Sequence, residues 1–162
     1  MGSSPRCVMR DHSMRLRCKR AGAKEREQIR TWRYEGAYAP FNYALEAEGW
    51  LDAFPKDRIY SVEAESRIVG VFFLIERNDR RWEYRVLVHP QELGQGLGKR
   101  ITLLALREAR CLGIDELMLL VRQDHDVAYR LYRSVGFVET GMVREWVAGE
   151  QRMMRQMVKR LA

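Results

Sequence analysis

Short apolar runs broken by charged residues fill this chain, and their spacing predicts alternating strands and helices. Residues 14–20 (M-R-L-R-C-K-R) alternate apolar and basic positions, as a first strand with one exposed face does. Residues 23–32 are charged and free of proline, which predicts a first helix. Residues 58–64 and 68–76 are rich in Val, Ile, Phe and Tyr around a short polar turn, the pattern of an antiparallel hairpin. A fourth strand covers residues 81–88 and stops at His89-Pro90. In residues 97–112, Leu97, Ile101, Leu104, Ala105 and Leu112 share one helical face, and Gly113 is placed to close the helix. Residues 116–121 are almost wholly apolar, as in a central strand covered on both faces. Val127, Ala128, Leu131, Tyr132 and Val135 mark the stripe of a further helix, which Asp124 or Asp126 can cap and Gly136 ends. Residues 137–147 and 151–160 form a last hairpin about Ala148-Gly149. The predicted order is β-α-α-β-β-β-α-β-α-β-β, an α/β fold with a sheet of mixed direction.

One stretch does not follow either period. Residues 32–54 hold Trp32, Tyr34, Tyr38, Phe41, Tyr43, Trp50 and Phe54, punctuated by Gly36, Pro40 and Gly49. They read as a loop followed by a short helix over about residues 43–53. Seven of the sixteen aromatics fall here, enough to line a pocket for an apolar or aromatic ligand, or to form a covering flap or a dimer contact.

Composition narrows the class. With 162 residues, 46% hydrophobic and 31% charged, the chain fits one globular domain, residues 14–162, with no internal repeat or linker. Residues 1–13 read as a polar leader without the apolar core of a secretory signal, and Met9 and Met14 are alternative starts. The longest apolar runs, such as residues 69–75, are too short to cross a bilayer. Cys7, Cys18 and Cys111 are widely spaced, which points to a reducing cytoplasm rather than a disulfide framework. His12, His89 and His125 show no metal-ligand spacing, so no metal is expected. The net charge of +7 favours an anionic partner, although the basic residues are spread along the chain. No helix shows the basic polar face of a groove reader, which argues against nucleic acid.

The segment with chemical content is V-L-V-H-P-Q-E-L-G-Q-G-L-G-K-R, residues 86–100. Three alternate glycines between a strand and a helix let backbone N–H groups converge, and the helix start adds partial positive charge; together these make an anion site. The Walker pattern fails because Leu93 and Arg100 stand where Gly and Ser or Thr are needed. The dinucleotide fingerprint fails because the third glycine comes one residue early.

Strand, V-H-P, G-x-G-x-G and helix together resemble motif A of the GNAT acetyltransferases, R/Q-x-x-G-x-G/A. Residues 126–137, D-V-A-Y-R-L-Y-R-S-V-G-F, resemble motif B of the same family, A-x-x-L-Y-x-x-x-G-F. The order and separation of the motifs match, and the resemblance covers about residues 14–157. It implies the GNAT fold: a mixed, mostly antiparallel six- to seven-stranded sheet flanked by about four helices. Two positions depart from the family: Leu93 replaces the usual Arg or Gln, and His125 replaces a common Asn.

The resemblance implies N-acetyltransferase activity, with acetyl-CoA as acyl donor and a primary amine of a small molecule or a peptide N-terminus as acceptor. Backbone groups of Val86, Leu87 and Val88 would pair with the pantetheine arm. Gly94, Gln95, Gly96, Leu97, Gly98 and Lys99 would cradle the pyrophosphate, with Arg100, His125 and Tyr129 assisting. Val86 or Leu87 would direct an N–H at the thioester carbonyl. Tyr132 matches the motif B tyrosine, the general acid for the departing thiolate. Glu83 lies where many members carry a glutamate base, and His89 is a weaker candidate for that role. Glu46, Glu48 and Asp52 either attract a cationic acceptor or sit in solvent. A homodimer is compatible with the family, and a CoA-binding regulatory module without catalysis is the competing reading.

Overall fold

The computed structural model describes residues 15–78, 81–147 and 149–162. The expected leader at residues 1–13, Met14, Cys7, His12 and Ala148 therefore lie outside the described residues. In chain order the elements are β1 (Arg17–Arg20), α1 (Ala23–Arg30), α2 (Pro40–Leu45), α3 (Trp50–Ala53), β2 (Ile59–Ala64), β3 (Arg67–Glu76), β4 (Arg81–Val88), α4 (Leu97–Cys111), β5 (Glu116–Arg122), α5 (Asp126–Ser134), β6 (Val138–Val147) and β7 (Glu150–Arg160). The strands form one seven-stranded sheet in the order β1-β2-β3-β4-β5-β7-β6. Only β4 and β5 run parallel; the other neighbours are antiparallel. This is the mixed sheet that the hydrophobic pattern predicts.

Alternation along the strands divides the core in two. Phe72, Leu74 and Tyr84 face one side, where they meet Ile101, Ala105 and Ala109 of α4, together with Leu117, Leu119 and Phe137. Val71, Phe73, Ile75 and Leu87 face the other, against Ile29 of α1, Leu45 of α2 and Leu51 of α3. Residues 69–75 of β3 are buried on both faces, which explains their unbroken apolar run. The register of β2 with β3 slips by one residue, so that Val62 pairs with Gly70 and Glu63 with Ile68. This bulge turns Val69 to the α4 side.

Three expected boundaries move. The first strand begins only at Arg17. The helix expected near residues 43–53 splits into α2 and α3, because Gly49 between them takes a left-handed conformation, φ +59°. The residue ahead of α5 that caps it is His125, whose Nδ1 accepts the Ala128 N–H at 3.5 Å. Asp124 instead turns its carboxylate to Arg122, 3.2 Å away.

Candidate active site

Strands β4 and β5 stay together for only three residues: Arg81 faces Glu116, Trp82 faces Leu117 and Glu83 faces Met118. Beyond Glu83 they part. The bonds of His89 N–H to the Val69 carbonyl (2.8 Å) and of Arg77 N–H to the Arg81 carbonyl (3.0 Å) fix the parity of the β3–β4 ladder. Residues 81, 83, 85 and 87 of β4 thus bond to β3, and the backbone groups of Val86 and Val88, past the last pairing with β5, point into the opening. On the opposite wall, Gln123 N–H bonds the Met153 carbonyl at 3.2 Å and Leu161 N–H the Asp115 carbonyl at 2.8 Å. The same parity turns the backbone of Leu120 and Arg122 toward β4. The opening is a wedge between two half-free strand edges, able to receive an extended, amide-bearing chain. Leu87, expected beside Val86 and Val88, has its backbone groups committed to Val71 and its side chain buried on the α1 side.

Above the wedge, the glycine turn reaches the start of α4. Gly94 and Gly96 have φ of +78° and +76°, and a side chain at either would meet nothing within 4 Å; backbone conformation alone requires glycine there. Gly98 is different: a Cβ there would lie 3.0 Å from Leu131 Cδ1, so its small size lets α4 approach α5. Gly96 caps α4 without any side-chain hydrogen bond, leaving the first-turn N–H groups of a 15-residue helix directed outward. Gln95 and Lys99 are exposed beside them, and Arg100 is half-buried. Leu93 packs its side chain into the second cluster, behind the turn rather than in it.

A hydrogen-bonded chain ties this turn to β4. Thr102 donates to the Gly98 carbonyl at 2.7 Å, and its hydroxyl lies 2.9 Å from that of Tyr84. Tyr84 is buried and its phenol is held well above the ordinary range, mainly by burial. Tyr132 meets the Tyr84 ring edge-on at 6.5 Å and that of Phe137 at 6.0 Å. Burial pushes its phenol up to about 12, so it remains protonated. Tyr132 therefore stands where α5 faces β4. Thr102 is a polar interruption in the apolar stripe of α4, the one sequence signal that could have disclosed this chain.

The remaining expected residues fall elsewhere. Glu83 is buried on the α1 side, where Arg77 grips Oε1 and Arg85 Nε donates to Oε2 at 2.8 Å. His89 accepts the Gln91 N–H on Nδ1 at 3.0 Å and packs on Trp32 at 4.9 Å between ring centres. Burial lowers the pKa of both His89 and His125. The Tyr129 hydroxyl donates to Glu139 at 3.2 Å, and the guanidinium of Arg155 lies 4.8 Å over its ring, which turns it toward β6 and β7.

The aromatic stretch forms a wall. Asn42 exchanges two bonds with the Tyr34 backbone (2.7 and 2.9 Å), and the Tyr34 hydroxyl donates to the Val88 carbonyl at 2.6 Å. Tyr38 then reaches His125, ring centres 6.2 Å apart. An open hollow of about 490 Å³ lies between Tyr43 of α2, with Glu46 just past its end, and Glu150 and Arg152 of β7. Its acids are already paired, Glu46 with Arg33 at 3.4 Å and Glu150 with Arg152 at 3.8 Å. Asp52 likewise takes two bonds from Arg30, at 2.9 and 2.7 Å. Among the described residues no cluster of His, Cys, Asp and Glu could hold a metal, and no helix is long and apolar enough to cross a membrane.

Known proteins share this fold. Among solved structures, a chimera of the Vibrio cholerae spermidine N-acetyltransferase SpeG and hSSAT superposes with a TM-score of 0.75 at 23% identity, over 90% of this chain and 95% of that one. The protein yncA of Salmonella typhimurium, solved with its cofactor acetyl-CoA, gives a TM-score of 0.68 at 18% identity, over 91% and 94%. A mycothiol acetyltransferase of Thermomonospora curvata is 35% identical over 95 residues, 58% of this chain but only 31% of that protein, so the chain spans about a third of that relative. The description "Acetyltransferase (GNAT) family" matches residues 26–137, which carry the wedge, the glycine turn and Tyr132. The chain belongs to the GNAT acetyltransferase family.

Proposed function

We propose that this protein transfers the acetyl group of acetyl-CoA to a primary amine of a small molecule. The open edge of β4 beside the uncapped start of α4 carries this reading, because it offers a strand-like partner and an anion site a few residues apart. Acetyl-CoA supplies an activated acyl group on a thiol, a fair leaving group near pKa ~8.5. Val86 holds the extended arm through both of its backbone groups and Val88 through its N–H, the Val88 carbonyl being taken by the Tyr34 hydroxyl. Leu97, Gly98 and Lys99 direct first-turn N–H groups at the pyrophosphate, and Lys99 and Arg100 add charge. The Val86 N–H stabilises charge developing on the carbonyl oxygen. Tyr132, kept neutral by burial, holds the proton that the departing sulfur takes up.

Glu83 acts in this scheme by fixing Arg85, since both of its oxygens already accept guanidinium N–H groups. The amine proton passes to water in the open wedge. His125 and Tyr129 hold the wall around the arm through the α5 cap and the contacts with β6.

The test is free-thiol release from acetyl-CoA across pools of amino acids, polyamines, aminoglycosides and peptides, with Tyr132→Phe in parallel. The variant is expected to lose about 10²-fold or more in kcat with little change in acetyl-CoA binding. Turnover unaffected by Tyr132→Phe would remove the tyrosine from the reaction. Calorimetric binding of acetyl-CoA with no turnover in any pool would replace the enzyme with a CoA-binding module.

A further inference from the structure

Beside the wedge, on the α1 side of the sheet, one buried carboxylate faces two guanidiniums. Arg77 and Arg85 share Glu83, so the cluster carries one positive charge more than it needs. Arg85 spends only Nε on Glu83; its Nη groups have no acceptor among the described residues. The Arg85 side chain is 21% exposed against 5% for Glu83, so a ligand can reach the arginine and not the acid. Its plane is set by two aromatic rings, Trp50 at 4.8 Å and Phe54 at 4.9 Å from the guanidinium carbon. A second orphan lies in the same place: the Trp50 indole N–H is covered and has no acceptor among the described residues.

We infer that Arg85, fixed by Glu83 and flanked by Trp50 and Phe54, binds a carboxylate of the acceptor, and that the acceptor is a free amino acid. This rests on the acetyltransferase reading of the wedge. A planar guanidinium with its Nη edge open is built for a two-oxygen anion, and the Trp50 ring, whose own N–H is covered, holds that guanidinium in place. Arg85 and Val86 are neighbours on one strand, with Cα atoms about 3.8 Å apart. The Arg85 side chain leaves β4 toward the α1 side while the Val86 N–H points into the wedge, so a carboxylate on Arg85 lies beside the wedge at the same level of the strand as the carbonyl, and an acceptor carrying both a carboxylate and an amine can span the two. A polyamine has no group for Arg85, and Asp52, Glu46 and Glu150, three acids that could attract one, are already paired with Arg30, Arg33 and Arg152.

The experiment compares acceptors that differ in the carboxylate alone: phenylalanine, phenylalaninamide and phenethylamine, then arginine, argininamide and agmatine. Thiol release gives kcat and KM, and tryptophan fluorescence gives binding of each compound in the presence of CoA. In at least one series the acid is expected to exceed its amide by about 10²-fold in kcat/KM. Arg85→Gln should erase that ratio through the KM of the acid while leaving the KM of acetyl-CoA unchanged. Arg85→Lys should restore part of it, and Trp50→Phe, which keeps Arg85, should reduce it by a smaller factor. Equal use of acid and amide by the unaltered protein overturns the inference, as does an equal loss on both in Arg85→Gln. Carboxylate-dependent binding without turnover keeps the Arg85 site and removes the transferase reading. Turnover of amines with no carboxylate-dependent binding does the reverse.

Discussion

At the scale of single residues, the glycine turn separates two uses of the same amino acid. Motif spacing presents Gly94, Gly96 and Gly98 as one cradle, because a sequence does not reveal dihedral angles or neighbours across a helix pair. The structure assigns positive φ to the first two and close packing against Leu131 to the third. Gly96→Ala forces a side chain into the left-handed region at the start of α4, at a cost of about 1–2 kcal/mol. It should lower the urea midpoint and weaken acetyl-CoA binding together, since the N–H groups it positions are those aimed at the phosphates. Gly98→Ala gains helix propensity of up to about 1 kcal/mol and loses a comparable amount if Leu131 cannot yield. Its new methyl points at α5 rather than at the anion site, so acetyl-CoA affinity should stay closer to that of the unaltered protein. Calorimetry on the two variants settles the matter: a larger affinity loss in Gly98→Ala would refute this division of roles.

At the scale of elements, what matters is which edge of β4 each backbone group faces. Val86→Pro deletes an N–H that bonds nothing in the ladder, so the fold should survive with a loss of roughly 1–2 kcal/mol from altered packing. Activity should disappear, because the donor to the carbonyl is gone and the ring projects into the wedge. Leu87→Pro removes a ladder bond to Val71 and a fully buried side chain, with an expected cost of at least about 3 kcal/mol. Circular dichroism and thiol release on both variants check the parity; a folded, active Val86→Pro would disprove it. Strand positions were legible from alternation, and β4 emerges with the predicted bounds at Arg81–Val88. The parting of β4 from β5 was not legible, because pairing depends on partners far apart in sequence. The split of residues 43–53 into α2 and α3 was hidden for a related reason, since Gly49 reads as mere punctuation until its φ is known. Arg85 gave no signal at all: an arginine at an alternate strand position looks like a solvated one until Trp50 and Phe54 fold over it.

At the scale of the whole molecule, burial of titratable rings sets the pH range in which the fold is most stable. His89 and His125 have pKa values below their ordinary 6.5, each chiefly from burial. The unfolded chain therefore binds more protons than the folded one as pH falls below about 6.5, and stability declines through that interval. Asp124, depressed by Arg122, and Asp52, depressed by its bonds from Arg30, extend the same decline at lower pH. On the alkaline side the sign reverses. Cys18 is raised from 9.0, and Tyr34, Tyr60, Tyr84 and Tyr132 are raised from 10.0, in each case first by burial. There the unfolded chain releases protons that the folded chain keeps, so stability falls as pH rises past 9 and then 10. Urea midpoints should thus be highest between about pH 7 and 9 and fall on both sides. The net charge of +7 steepens the acid side, because every proton bound there adds to self-repulsion. Above pH 10, the phenolate absorbance of the buried Tyr34, Tyr60 and Tyr84 and of the partly buried Tyr132 should emerge only as the helical circular dichroism is lost. If that absorbance developed fully while the fold persisted, the tyrosine core around Tyr84 and Tyr132 would be open to water, and Tyr132 would lose the burial that keeps it an acid.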